Sequence, residues 1–125
     1  MILLDANYLI AAGQLGSTEF TQLVRWKENG EALGAPAIAW TEFLSGPVHP
    51  DDIADMQSLL NAGIFPFDEA CASTAAHLFN ATGRKRNLRV DGMIAATALE
   101  NNARLATRNL ADFQPFLAHG LRLAT

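Results

Sequence analysis

Short apolar runs that end at polar or turn residues constrain the fold of this chain more than any other feature. The first run, Ile2–Leu4, has no alternation of buried and exposed positions, which is typical of a strand buried on both faces of a parallel sheet. Further runs predict strands at 33–39, 64–67 and 105–107, with a candidate fifth at 121–124. Helical patterns separate these runs. The sequence therefore predicts an α/β domain with helices on both faces of a mainly parallel sheet of four to five strands.

Capping residues and apolar periodicity indicate where the helices lie. Ser17 is a candidate N-cap for a helix that runs to about Glu28, and Asp68 is a candidate N-cap for a helix that ends before Gly83. Other helices are expected at 6–12, at 40–44, from Pro50 onward and from Asp91 onward.

Composition limits the class of protein. The 125 residues are 50% hydrophobic and 18% charged, as expected for a single folded domain that spans 1–125. The net charge of −4 means that a nucleic-acid partner must bind at a local basic patch. The single cysteine allows no internal disulfide, and no apolar run approaches the roughly 20 residues of a membrane span. The apolar start is too short for a signal peptide, so we expect a cytoplasmic protein without membrane contact.

Four acids occupy comparable positions around the expected sheet. Asp5 follows the first strand, Glu42 lies shortly after the second, Asp91 opens a helix, and Asp112 follows the fourth strand. Right-handed crossovers bring the carboxyl ends of parallel strands to one edge, where ligands bind. Carboxylates that meet there repel one another unless a hard divalent cation neutralises them. Such a site can activate water for the hydrolysis of a phosphodiester.

Each acid also has a purely structural explanation. Asp5 and Asp91 are both suitable helix N-caps, Asp112 suits a turn, and Glu42 suits a solvated surface. Only the joint pattern of the four acids favours a cation site.

Four segments, taken in order, carry a resemblance to a known family. They are Ile2–Asn7, Pro36–Phe43, Val90–Ala98 and Leu105–Phe113. With this order and spacing the chain resembles PIN-domain proteins, and specifically the VapC-type toxins of bacterial and archaeal toxin–antitoxin pairs. The resemblance implies a three-layer α/β/α PIN-like domain and a Mg²⁺- or Mn²⁺-dependent endoribonuclease that hydrolyses RNA with metal-activated water.

The resemblance also implies a set of metal-binding and catalytic acids. Asp5, Glu42 and Asp91 match the family's ligand positions. Family members often have an acid at the position of Asn109, and many have another at the position of Asp112. Only the second of these is an acid here, so Asp112 is the expected fourth ligand.

Three polar residues are expected to support the acids. Asn7 belongs to the opening motif, Asn109 can orient a water or a ligand through its amide, and Thr107 can hydrogen-bond within the site. Ala6 stands where the family commonly has Thr or Ser, a departure that removes a hydroxyl but no ligand.

A basic segment directly before Asp91 is the expected contact for the RNA, with tRNA and mRNA as the candidate substrates. A charge run of this kind is more often only a solvated loop. Its position beside the acids favours phosphate contact. The expected RNA-binding residues are Arg84, Lys85, Arg86 and Arg89, with Arg108 as a further candidate.

The resemblance further implies a homodimer and a cognate antitoxin. The antitoxin would place a helix in a hydrophobic groove and a basic side chain in the acidic pocket. Most of the candidate groove residues are better explained as members of an ordinary core. They are Phe20, Leu23, Val24, Trp26, Ile53 and Leu60.

Other enzyme classes fit the sequence less well. A haloacid-dehalogenase-type phosphotransferase expects a second Asp where Asn7 stands, and a response-regulator receiver expects a Lys after its last strand, where neither Lys27 nor Lys85 lies. A Gly-x-Ser-x-Gly motif is absent, and the histidines lack metal-ligand spacing. The remaining alternative is a non-catalytic PIN-like module that binds RNA or protein, which a metal titration would distinguish from a nuclease.

Overall fold

A computed structural model describes residues 1–124 of the chain. Its four strands and seven helices alternate along most of the sequence. In chain order they are β1 (Ile2–Leu4), α1 (Ala6–Ala12), α2 (Thr18–Glu28), β2 (Leu33–Pro36), α3 (Ala37–Leu44), α4 (Pro50–Leu59), β3 (Gly63–Phe65), α5 (Glu69–Ala81), α6 (Arg89–Glu100), β4 (Arg104–Ala106) and α7 (Leu110–Leu117). Arg86–Leu88 form one 3₁₀ turn ahead of α6.

The four strands form one parallel sheet in the order β3-β2-β1-β4. β1 lies inside the sheet, where Ile2 is paired with Leu33 on one side and Leu4 with Ala106 on the other. The predicted fifth strand at 121–124 is reduced to a single parallel bridge between Leu105 and Leu123. Because the four strands are parallel, their carboxyl ends all lie at one edge of the sheet.

Helices cover both faces of the sheet, which confirms the three-layer α/β/α arrangement. Successive side chains of β1 point to opposite faces, so Ile2 and Leu4 pack with the core formed by α1, α2 and α4, and Leu3 packs with the core formed by α5, α6 and α7. All three side chains are fully buried, as expected for a parallel strand covered on both faces.

The second strand is shorter than predicted. The sequence favours a strand over 33–39, but the chain becomes helical at Ala37, and Pro36 is the N-cap residue of α3. Pro lacks the N–H that would continue the sheet, and its fixed φ suits a helix entry. A short apolar run does not distinguish a buried strand from a buried helix, so the run 37–39 misled the prediction. The helix expected at 40–44 accordingly begins three residues earlier.

Two further boundaries differ from expectation. The third strand is Gly63–Phe65 instead of 64–67. The basic segment is only partly a loop, because its 3₁₀ turn runs directly into α6 at Arg89. Asp91 therefore does not open the helix. It is the third residue of α6, and Leu88 is the N-cap residue, without a side-chain capping bond.

No helix within residues 1–124 combines the length and apolar character that a membrane crossing requires.

Candidate metal and active site

A polar pocket of about 320 Å³ lies at the carboxyl edge of the sheet. Asp5 between β1 and α1, the helices α1 and α3, the first turn of α6 and the loop after β4 each contribute to it. Its lining residues are Asp5, Ala6, Asn7, Ile10, Glu42, Asp91 and Asn109. The structure thus brings together three of the four predicted acids and both predicted asparagines.

Asp5 is the most rigidly held acid of the pocket. Its side chain is only 5% exposed, and both carboxylate oxygens accept hydrogen bonds, Oδ1 from the N–H of Ala6 at 2.8 Å and Oδ2 from the hydroxyl of Thr107 at 2.8 Å. Burial raises the pKa of Asp5, the two hydrogen bonds oppose that rise, and the charge of Asp112 adds to it. Asp5 therefore both caps α1 and lines the pocket, so the structural and the functional explanation are compatible.

Hydrogen bonds join the loop after β4 to Asp5 and to the first turn of α1. The backbone N–H of Arg108 donates to Asn7 Oδ1 at 3.1 Å, and the N–H of Asn109 donates to Thr107 Oγ1 at 3.0 Å. Thr107 is buried, so its hydroxyl connects Asp5 to the fourth strand inside the protein. These bonds give Asn7 and Thr107 a positioning role at the site.

Asp91 is the acid whose ionisation is most disturbed. Its pKa is raised to about 6, first by partial burial and then by the charges of Asp5, Asp112 and Glu42. The pKa of Glu42 on α3 is also raised, by burial and by the charge of Asp5. Since Asp91 is not a capping residue, its carboxylate is not used in capping α6 and can bind a ligand in the pocket. Burial first, and the proximity of like charges second, explain why both carboxylates resist ionisation.

The fourth position is divided between two residues. Asn109 lines the pocket, whereas Asp112 is exposed on α7 and does not line it. The charge of Asp112 nevertheless raises the pKa values of Asp5 and Asp91, so it contributes to the potential in the pocket. The prediction that Asp112 is a direct ligand therefore stays a prediction, and of the two residues only Asn109 lines the pocket.

The chemistry of the lining side chains fits a hard divalent cation. Every polar side chain in the pocket presents carboxylate or amide oxygen, the ligands that Mg²⁺ and Mn²⁺ prefer. Within the part of the chain that the structure describes, no three His, Cys, Asp or Glu side chains are already close enough together to hold an ion. A cation held by one or two of these carboxylates, with waters as its other ligands, fits this arrangement.

The predicted RNA-contacting residues lie around the pocket and do not line it. Arg84 and Arg89 lie over the ring of Phe79, between α5 and α6, and Lys85 and Arg86 are exposed to solvent. The guanidinium of Arg108 lies 3.8 Å from a carboxylate oxygen of Glu19, so Arg108 is partly neutralised by its own protein.

Sequence reasoning missed one apolar residue of the site. Ile10 lines the pocket although 48% of its surface is exposed, and it lies one helical turn after Ala6 on α1. Residues at i and i+4 share a helix face, so the spacing from Ala6 was the available signal.

The PIN domain family model matches residues 2–114 of the chain. This match confirms the resemblance that the four sequence segments indicated. A search of curated protein sequences finds no match.

Solved structures of the same fold match nearly the whole chain. FitAcB from Neisseria gonorrhoeae is 25% identical, with a TM-score of 0.71 over 99% of this chain and 97% of that chain. VapBC2 from Rickettsia felis, bound to a DNA fragment from its promoter, is 20% identical, with a TM-score of 0.74 over 99% and 98%. A toxin–antitoxin complex from Klebsiella pneumoniae is 22% identical, with a TM-score of 0.64 over 90% of each chain.

Proposed function

The chain belongs to the PIN domain family, and from that premise we propose that it is a Mg²⁺- or Mn²⁺-dependent endoribonuclease, the VapC-type toxin of a toxin–antitoxin pair. The observation that carries the proposal is the convergence of acids at one pocket. The pKa of Asp91 is raised to about 6, and three other carboxylates contribute to that rise. A fold that tolerates such repulsion at the ligand-binding edge of a parallel sheet is suited to a bound cation.

The residues have distinct roles in the proposed reaction. Asp5, Glu42 and Asp91 would hold the cation, with Asp112 adding negative charge and Asn109 orienting a water or a phosphate oxygen. A bound divalent cation supplies Lewis-acid chemistry, lowering the pKa of water and offsetting charge on the phosphodiester oxygens. One of the pocket carboxylates would accept the proton that the attacking water loses.

The proposed partner is an antitoxin that covers an apolar groove of about 420 Å³ between the α1–α2 connection and α4. Leu15 is fully exposed at this groove and Phe20 is 36% exposed, so both offer apolar surface to a partner helix. Asp52 and Asp55 line the same groove and favour a partner with basic residues. The similar structures named as VapBC and toxin–antitoxin complexes support this pairing.

Most of the other predicted groove residues belong to the interior. Leu23, Trp26 and Leu60 are at most 6% exposed and pack in the core beneath α1, α2 and α4. They are therefore unavailable to a partner, and Phe20 alone of the predicted set lines the groove. Homodimer formation stays a prediction, which the native mass of the purified chain would test.

The proposed function is tested by removing the metal. Cleavage of purified tRNA and mRNA by the wild-type chain should stop in EDTA and return when Mg²⁺ or Mn²⁺ is added back. Calorimetric titration should show divalent-cation binding that Glu42→Gln weakens and Glu28→Gln, at an exposed acid outside the pocket, leaves unchanged. A chain that binds no divalent cation would instead be the non-catalytic PIN-like module.

A further inference from the structure

A second pocket, of about 410 Å³, lies between α5 and α6 and has no role in the proposed reaction. Its floor is formed by small and apolar side chains of the two helices, and its rim carries two arginines and an amide. The residues that matter for its chemistry are Phe67, Phe79, Asn80, Arg84, Arg89 and Met93.

The two arginines of this pocket are arranged around one aromatic ring. The guanidinium carbon of Arg89 lies 4.3 Å from the centroid of the Phe79 ring, and that of Arg84 lies 5.2 Å from it. Both distances are within the range of a cation–π interaction. Arg84 also donates a hydrogen bond from Nη1 to Asn80 Oδ1. The result is a layer of planar groups at the rim of an apolar cavity.

The backbone holds Arg84 in this place at a conformational cost. Gly83 has a φ of +89°, and Arg84 itself has a φ of +56°, which a residue with a side chain adopts rarely. The N–H of Arg84 donates to the carbonyl of Phe79 at 2.9 Å, so the chain folds back over the end of α5. This tight turn places the guanidinium over the ring of Phe79 while the residue remains exposed to solvent.

The positive charge of the pocket is not compensated by an acid. Within residues 1–124, neither Arg84 nor Arg89 takes part in an ion pair, whereas Arg104 and Arg108 both do. Planar cations beside an aromatic ring suit a ligand that is itself planar and carries negative charge close by. A nucleobase with its phosphate meets both requirements.

The location of the pocket connects it to the acidic site. Arg89 and Met93 lie one turn apart on one face of α6, and Asp91, between them, lies on the roughly opposite face. The two pockets are thus separated by the ~10 Å diameter of a helix, at the first turn of α6. A few nucleotides of extended single-stranded RNA can pass around this helix end and reach both.

We propose that this pocket receives one unpaired nucleobase of the RNA substrate, a few nucleotides from the phosphate that is cleaved. The base stacks on the layer formed by Phe79, Arg84 and Arg89, and the free guanidinium N–H groups donate to the adjacent phosphate. This inference rests on the proposed ribonuclease function and adds a subsite that requires single-stranded RNA on one side of the acidic site.

The test is an abasic scan of a bound oligonucleotide. Fluorescein-labelled oligouridylate of about 12 nucleotides is bound to the full chain in EDTA, which prevents cleavage, and affinity is measured by anisotropy. Each base in turn is replaced by an abasic unit that keeps the phosphate. Loss of the base at one position should weaken binding about tenfold, since that is the scale of stacking for a single base.

Variants of the pocket residues then test whether the base at that position binds in this pocket. Phe79→Leu keeps apolar volume but removes the ring, so the intact and the abasic oligonucleotide should then bind equally. Arg84→Lys combined with Arg89→Lys keeps both charges, so the salt dependence should remain while the abasic difference shrinks. Arg25→Gln, at an exposed arginine of α2 outside the pocket, should change neither. If Phe79→Leu fails to fold, the double variant Arg84→Lys, Arg89→Lys still tests whether the base binds in this pocket.

The inference would be overturned if no abasic position changed the affinity. It would also be overturned if Phe79→Leu lowered the affinity for the intact and the abasic oligonucleotide by the same factor, so that the difference between them remained. A fall in native mass from dimer to monomer in Phe79→Leu would also overturn it, because a second copy of the chain would then cover the pocket. The proposed ribonuclease function is judged separately, by metal-dependent cleavage and its loss in Asp5→Asn, so either idea can fail while the other stands.

Discussion

The two walls of the acidic pocket are built in different ways. On one wall Asp5 is buried, and both of its oxygens accept hydrogen bonds from Ala6 and Thr107. On the other wall, and within residues 1–124, the carboxylates of Glu42 and Asp91 form neither a side-chain hydrogen bond nor an ion pair. The first wall is fixed before any ligand arrives, whereas the second can adjust. A site of this kind combines one preorganised carboxylate, Asp5, with two carboxylates, Glu42 and Asp91, that can change their position when a ligand binds.

The largest effect is expected from the fixed wall. Asp5→Asn keeps Oδ1 as the acceptor for the N–H of Ala6 but removes the negative charge that would anchor the proposed cation. We expect metal-dependent cleavage to fall by about 10³-fold, which corresponds to the several kcal/mol that a metal contributes. Cleavage assays with purified RNA would measure this loss, and circular dichroism should show an intact fold. A cleavage rate near that of the wild type would remove Asp5 from the site.

A smaller effect is expected from loosening Asp5 without removing its charge. Thr107→Val deletes the hydroxyl that donates to Asp5 Oδ2 and accepts from the N–H of Asn109. Loss of such an outer hydrogen bond typically lowers metal affinity or activity by about 10–100-fold.

Thr107→Ser is the matched control for this prediction, because it restores the hydroxyl. It should recover most of the metal affinity measured by calorimetry. If Thr107→Val destabilises the fold but leaves metal affinity unchanged, Thr107 supports only the structure and the first wall is less dependent on it than we infer.

The second wall, formed by Glu42 and Asp91 and called the adjustable wall below, should make the stability of the chain depend on pH. The pKa of Asp91 is raised from 3.8 to about 6, so the native metal-free chain holds a proton that the unfolded chain has lost. Stability should therefore fall as the pH rises from about 4 to about 6. Asp91→Asn should reduce this fall and leave the part that comes from Asp5 and Glu42, whose pKa values are also raised. It should stabilise the metal-free chain near pH 7 by ~1 kcal/mol, a figure reduced for the partial exposure of the group.

Urea midpoints in EDTA at about pH 4.5 and about pH 7 would measure this difference. Mg²⁺ should stabilise the wild-type chain more at the higher pH, because protons compete with the cation at the lower one. Identical pH dependence in the wild type and Asp91→Asn would show that burial and the neighbouring acids do not raise the pKa of Asp91 in the native chain.

Local chemistry explains which parts of the fold could be predicted. Ser17 and Asp68 cap α2 and α5 through their own side chains, so their sequence signals are sufficient. Asp5 and Asp91 could be assigned to one edge because parallel strands share a direction. By contrast, the helical run 37–39 and the 3₁₀ turn before α6 depend on packing against the rest of the chain.

The details of the pocket were harder to predict for the same reason. Asn109 and Asp112 are three residues apart, and only the tertiary position of α7 decides which of them lines the pocket. Ile10 became part of the site through its helix face, although nothing in its chemistry suggests a role there. The sequence thus identifies which acids can meet, and the packing of helices decides how they meet.

The smallest effect is expected from Asp112, which influences the pocket without lining it. Because this carboxylate is exposed, salt screens its interaction with a cation in the pocket. Asp112→Asn should weaken Mg²⁺ binding only about threefold at low salt, and the difference should vanish in high salt, as for other exposed charge pairs. Asn109→Ala should reduce cleavage at every salt concentration, because its amide is lost from the pocket itself. A salt-independent loss of more than about a hundredfold in Asp112→Asn would instead make Asp112 a direct ligand, and the adjustable wall would then extend to α7.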